Sequence, residues 1–270
     1  MSDAHNFVSP TPRLKSWPEG GLLHIRFNNP SKHNALSLEM WEAIPMVLAR
    51  AAADDRVRLV VFAGEGERAF ASGDDVSQFE DRRAAHEAVL RYERIAETAL
   101  QAIHDFPKPT LASIRGYCIG GGLNIAVACD LRIASMDSLF SVPATRIGLG
   151  YLFSATKNLT ELVGPGNAKD ILYTARRLDS AEALRIGLVN RVTEPALLPA
   201  LLDDYVKAIA SGAPLTVKAA KRVIQELTKP DAEIDLELCH RLILECFQSE
   251  DYAEGRRAFM EKRKAVFKGR

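Results

Sequence analysis

Neither sign of charge is in excess: 35 Lys and Arg stand against 35 Asp and Glu. A protein that holds nucleic acid mainly through its phosphates needs a basic surplus, so that class is disfavoured, although Lys262-Arg263-Lys264 forms a local basic patch. Long apolar runs are missing too. Nothing approaches the roughly 18 apolar residues of a membrane span. Met1 to Pro18, with His5, Pro10, Pro12 and Pro18, lacks the apolar stretch of a secretion signal. Cysteine is scarce. Cys118, Cys129, Cys239 and Cys246 have no metal-ligand spacing, which predicts reduced, buried thiols, a cytoplasmic protein and no metal site. No low-complexity segment or repeat is visible.

What is present is a 270-residue chain of ordinary globular composition, long enough for one large domain or one domain with an appendage. Leu22 to Phe27 alternates and ends at Asn28-Asn29-Pro30, which predicts a strand. Ser37 is a good N-cap for a helix carrying Leu38, Trp41, Ile44 and Leu48, with Pro45 as a possible kink. Arg58 to Ala63, Thr110 to Arg115 and Leu131 to Ser135 are strand-like, and Ala84 to Phe106 and Leu123 to Ala128 are helical. Strands and helices alternate to about Glu194, and the remainder is all helical. That order predicts an α/β core over residues 1–195, with 1–18 as an N-terminal extension, and a helical region over 196–270 that packs elsewhere.

Two glycine-containing turns, each leaving a strand and entering a helix, stand out: Ser72-Gly73-Asp74-Asp75 and Gly116-Tyr117-Cys118-Ile119-Gly120-Gly121-Gly122. Glycine lets a ligand approach the backbone closely, and a helix N-terminus offers free N–H donors with positive dipole charge. Donors aimed at a developing oxyanion contribute about 3–4 kcal/mol each. A single such turn is more often mere packing.

The wider context of the turns makes them specific. Asn29-Pro30…Asn34-Ala35-Leu36, Ala69 through Asp75, Lys108-Pro109, Gly116 through Gly122, Ala128-Cys129-Asp130, Gly148-Leu149 and Glu261 through Phe267 occur in that order. Together they resemble the crotonase (enoyl-CoA hydratase/isomerase) superfamily from roughly Leu22 to Phe267. The resemblance implies a spiral of ββα units followed by helices that build a homotrimer or a dimer of trimers. It implies an acyl-CoA thioester as substrate, with coenzyme A part of that substrate and no separate cofactor. The thioester oxygen would sit between the backbone N–H groups of Asp74 and Gly121. Lys32, Ala35 and Leu36 would lie near the nucleotide end of coenzyme A, Asp75 and Val76 along the pantetheine, and Lys264 and Phe267 would reach a coenzyme A.

Two departures qualify the activity. The glutamates that handle water in hydratases of this superfamily fall on Asn124 and Ala144, and neither side chain exchanges a proton as a carboxylate does. Loss of CO₂ forms an enolate without a base. The stretch Phe140 to Tyr151, together with Ser249 to Gly255, is similar to methylmalonyl-CoA decarboxylase. The leading expectation is therefore a decarboxylase-like lyase in which Tyr151 or Asn124 manages a proton or the departing group. Against it stands Asp74, where that enzyme has a histidine: two carboxylates 4 Å apart repel by roughly 4 kcal/mol at an effective dielectric near 20. The alternatives are a hydratase or isomerase using Asp74 as an unusual base, with its pKa raised by burial, and a catalytically silent acyl-CoA-binding trimer. Asn124 as a structural hydrogen-bonder and Tyr151 as a core aromatic remain open, as does an approach of His86 to the pocket.

Overall fold

The computed structural model describes residues 7–75 and 85–270. The chain opens with a hairpin: β1 (Leu14–Glu19) pairs antiparallel with β2 (Leu22–Phe27) across Gly20 and Gly21. Both glycines have positive φ, the conformation that a two-residue hairpin turn requires. β1 corrects the expectation that residues 1–18 are an extension. It hides from the sequence because it is an edge strand with only Leu14 buried, which erases the alternation, and its edge position lets it tolerate Pro18.

After a short turn at Pro30–Lys32 come α1 (Leu38–Ala53), β3 (Leu59–Gly64) and β4 (Ala69–Ala71). Next are α2 (Ala85–His104), β5 (Thr110–Ile114), β6 (Tyr117–Ile119) and α3 (Gly121–Ala128). β7 (Leu131–Ser135), β8 (Leu139–Ser141), α4 (Ala144–Ile147) and α5 (Phe153–Thr174) follow. The chain closes with β9 (Leu178–Asp179), α6 (Ser180–Arg185), β10 (Arg191–Thr193), α7 (Leu198–Ala210), α8 (Pro214–Leu227), α9 (Leu236–Gln248) and α10 (Glu250–Met260). No helix among the described residues is long and apolar enough to cross a membrane.

Each strand–strand–helix unit splits its two strands between two sheets. β3, β5 and β7 enter a six-stranded sheet of order β1-β2-β3-β5-β7-β10, and β4, β6 and β8 enter a four-stranded sheet of order β4-β6-β8-β9. Repetition of that split produces the crotonase-type spiral. The large sheet is parallel apart from β1 and is buried on both faces, which explains the unbroken apolar runs of β3 and β5. Leu23, Ile25, Val60, Phe62 and Ala112 face the main core with Met40, Trp41, Ile44, Leu100 and Ile125. The alternate residues Leu22, Leu59, Val61, Leu111 and Ile133 pack under Leu198, Leu201, Tyr205 and Ile209 of α7. So α7 does not pack elsewhere. It covers the second face of the sheet, and α8 is tied back to the core where Lys221 Nζ donates to Lys108 O and Asp130 Oδ2 and Gln225 Nε2 donates to His104 O.

Two local expectations shift. Ser37 is the N-cap of α1, but its side chain caps nothing, and its buried hydroxyl has no partner among the described residues. Pro45 lies inside an unbroken α1, whose seven buried side chains hold it to the sheet.

Candidate active site

The two glycine turns leave the carboxyl ends of neighbouring parallel strands. β4 pairs with β6 through Ala69–Tyr117 and Ala71–Cys118, with a slip in register between them. Gly73 and Gly120 both have positive φ, and a methyl group built on Gly120 would lie 3.7 Å from Gly73 Cα. The turns therefore touch. Gly122 has no room for any side chain, since a Cβ there would fall 2.4 Å from the Ala71 carbonyl oxygen.

A third segment fixes the first turn. His33 and Asn34 adopt the left-handed conformation, and the Asn34 amide donates to Ala69 O at 2.7 Å and Glu65 O at 3.0 Å. Leu36 N–H then donates to Gly73 O and Asp75 N–H to Leu36 O, each at 2.8 Å. This parallel bridge uses the groups on either side of Asp74, so the Asp74 N–H points the other way and makes no hydrogen bond among the described residues. Gly121 is the first residue of α3, and the first turn of that helix closes with Asn124 N–H on Gly120 O. Its N–H has no intrahelical partner.

The Asp74 side chain turns inward. Its Oδ1 accepts from the Tyr92 hydroxyl at 2.6 Å and from Trp41 Nε1 at 3.1 Å, and Trp41 Nε1 lies 2.7 Å from Tyr92 Oη. A methyl group on Gly121 would stand 2.7 Å from the same Oδ1. Burial raises the Asp74 pKa above the ordinary aspartate value, against the opposing pull of the Tyr92 and Trp41 hydrogen bonds. Burial likewise raises Tyr151, and the Asp74 charge adds to that rise. The Tyr151 hydroxyl donates to Asn124 Oδ1, so these two candidates form one unit beside Asp74. Ala144 is buried in the main core at the start of α4, while Thr145 and Arg146 are exposed. Cys118 is buried and its thiol is pushed well up by desolvation, which leaves an inert small hydrophobe.

The raised Asp74 pKa has a consequence for stability. The folded protein holds that proton at a pH where the unfolded chain has released it. The folded state therefore loses about 1.4 kcal/mol per pH unit as pH rises from the unfolded to the folded value. Below that window Asp74 contributes nothing. Denaturant titrations of wild type and Asp74→Asn across pH are expected to show the variant gaining on wild type through the window. Parallel curves would mean an unshifted carboxyl.

Among the expected coenzyme A contacts, Lys32, Ala35, Leu36 and Asp75 come together with the first turn. Lys32 Nζ sits 2.9 and 3.0 Å from the two oxygens of buried Asp75. Val76 and the His86 side chain lie outside the described residues. Lys264 and Phe267 do not join the cluster. The Phe267 carbonyl accepts from Arg58 at the start of β3, and the Phe267 ring packs on Gly255 of α10. Lys32 follows the far end of β2, a six-residue strand parallel to β3, so the two groups lie about 20 Å apart along the sheet. Sequence reasoning missed Tyr92 entirely and took Trp41 only as a helix-phase residue. The usable signal was that a buried indole N–H needs an acceptor.

The family description "Enoyl-CoA hydratase/isomerase" matches residues 18–270. The chain belongs to the enoyl-CoA hydratase/isomerase family. The short-chain-enoyl-CoA hydratase of Clostridium acetobutylicum is 33% identical over 91% of this chain and 94% of its own. The crotonyl-CoA hydratase of Syntrophomonas wolfei is 33% identical over 92% of this chain and 95% of its own. A solved enoyl-CoA hydratase/carnithine racemase from Magnetospirillum magneticum superposes with a TM-score of 0.90 at 33% identity, covering 98% of both chains. Membership in the enoyl-CoA hydratase/isomerase family makes this an acyl-CoA enzyme. The relatives' names give no support to the decarboxylase-like lyase.

Proposed function

We propose that this enzyme transfers a proton at the acyl chain of an enoyl-CoA thioester, in the manner of a hydratase or isomerase, with Asp74 as the base. The observation that carries the reading is the Asp74 carboxyl: half-buried, raised in pKa and packed against Gly121, where a thioester oxygen would lie between the Asp74 and Gly121 amides. With the thioester oxygen so held, Asp74 removes a proton next to the carbonyl, the C–H electrons move into an enolate, and the same carboxyl returns the proton. One carboxyl is enough for a 1,3-proton shift, and Asn124 and Ala144 supply no second one. Tyr151, held by Asn124, lies beside Asp74 and lines the acyl path. Lys32, Ala35, Leu36 and Asp75 line the coenzyme A path, and no separate cofactor takes part.

The same half-buried Asp74 carboxyl, when ionised, opposes a substrate carrying its own carboxylate, which weighs against decarboxylation. Incubation with a 3-enoyl-CoA, crotonyl-CoA and methylmalonyl-CoA, read by mass spectrometry and NMR, is expected to show double-bond migration or gain of water. Loss of CO₂ from methylmalonyl-CoA would restore the lyase, and binding of all three with no product would leave a silent scaffold.

The assembly we propose is a homotrimer or dimer of trimers. Phe153 at the start of α5 and Phe259 and Met260 at the end of α10 are each at least 80% exposed, large apolar side chains that an assembly would cover. Lys264 and Phe267 would then reach the coenzyme A of a neighbouring subunit. Sedimentation equilibrium is expected to give a multiple of three, and a monomer at micromolar concentration would refute it.

A further inference from the structure

The hydrogen bonds around Asp74 are unequal between its two oxygens. Oδ1 accepts twice, from Tyr92 Oη on α2 at 2.6 Å and from Trp41 Nε1 on α1 at 3.1 Å. Oδ2 accepts from none of the described residues. The two donors also bond to each other, with Trp41 Nε1 2.7 Å from Tyr92 Oη, so neither swings free of the other. Trp41 is fully buried, and Gly121 closes the carboxyl from the α3 side with its Cα and the Trp41 ring.

We propose that Trp41 and Tyr92 are positioning residues that clamp Oδ1 of Asp74, leaving Oδ2 as the single oxygen that exchanges a proton with the acyl chain. The proposal rests on the reading of Asp74 as the base and goes beyond it by assigning a role to each carboxyl oxygen. A free carboxyl rotates and presents either oxygen. This one is held at one edge by donors from two helices, so the lone pair that meets the substrate has a fixed direction, as proton transfer needs. In the forward step Oδ2 takes the α-proton and the C–H electrons enter the enolate, and in reverse the Oδ2–H returns it. The clamp also tunes acidity, because both donors favour the charged carboxylate while burial opposes it. The other groups facing this cluster among the described residues are Tyr151 from the segment before α5, the Asp75–Lys32 pair beside the turn, and Cys118 beneath Tyr151.

Two readouts test the clamp independently. In a Trp17→Phe background Trp41 is the sole tryptophan, and its fluorescence is expected to titrate with one midpoint that Asp74→Asn abolishes. Tyr92→Phe keeps the ring and removes one donor, so that midpoint is expected to move up by about one pH unit. The second readout is exchange of the α-protons of butyryl-CoA in D₂O, which reports proton abstraction whatever the later chemistry. Tyr92→Phe is expected to slow exchange about tenfold and to move its pH midpoint by the same amount, with Trp41→Phe giving a similar loss. An unmoved midpoint in Tyr92→Phe overturns the clamp and leaves Asp74 as base untouched. A moved midpoint with unaltered exchange overturns the catalytic role of the clamp. Exchange that survives in Asp74→Asn overturns the reading of Asp74 itself.

Discussion

Asp74→Asn is expected to lower kcat by about 10²–10⁴-fold while acyl-CoA affinity stays within a few-fold. The substitution is nearly isosteric. The asparagine carbonyl still accepts from Trp41 Nε1 and Tyr92 Oη, and the Asp74 main chain keeps its place through the Leu36 bridge. The amide cannot take a proton from carbon. Calorimetry with a non-reacting acyl-CoA separates binding from turnover, and circular dichroism checks the fold. Should Asp74→Asn retain wild-type kcat, the proton chemistry passes to Tyr151 and Asn124, and the decarboxylase-like reading regains its footing.

The second large effect is expected at Gly122. An alanine there puts a methyl carbon 2.4 Å from Ala71 O and 2.7 Å from Ala71 Cβ. Both atoms belong to β4 or its fixed side chain, so no flexible group yields, and the start of α3 must part from the first turn. Overpacking of this kind costs about 1–3 kcal/mol of stability. A shift of about 1 Å in catalytic geometry costs roughly 100-fold in rate. Gly122→Ala is therefore expected to lose about 100-fold in kcat and several degrees in Tm. Gly166→Ala is the matched control, because its Cβ would meet nothing within 4 Å. Equal behaviour of the two variants would contradict the close contact between the turns.

Much of this architecture is legible in the sequence because burial writes it there. Leu22 to Phe27, Leu131 to Ser135 and the helix opened by Gly120-Gly121-Gly122 sit where alternation and glycine place them. β1 is not legible, since a wet edge strand needs no apolar alternation. The covering role of α7 is not legible either: its amphipathic face marks it as a packing helix without saying which sheet face it meets. In the site, positions in the two turns follow from the chain order of the motifs. The direction of the Asp74 side chain does not. It depends on Trp41 and Tyr92, distant in sequence and joined only by the packing of α1 against α2.

The register slip between β4 and β6 bears on how this chain tolerates change. Phe70 is the extra residue of the slip, and three residues downstream of Ala71 the Asp74 amide must face one side and its carboxyl the other. Side chains alternate with a period of two, so losing or gaining one residue between Phe70 and Gly73 would exchange those sides. The length of this segment is thus constrained more severely than its composition: a substitution here changes one group, whereas a single-residue deletion inverts the whole turn.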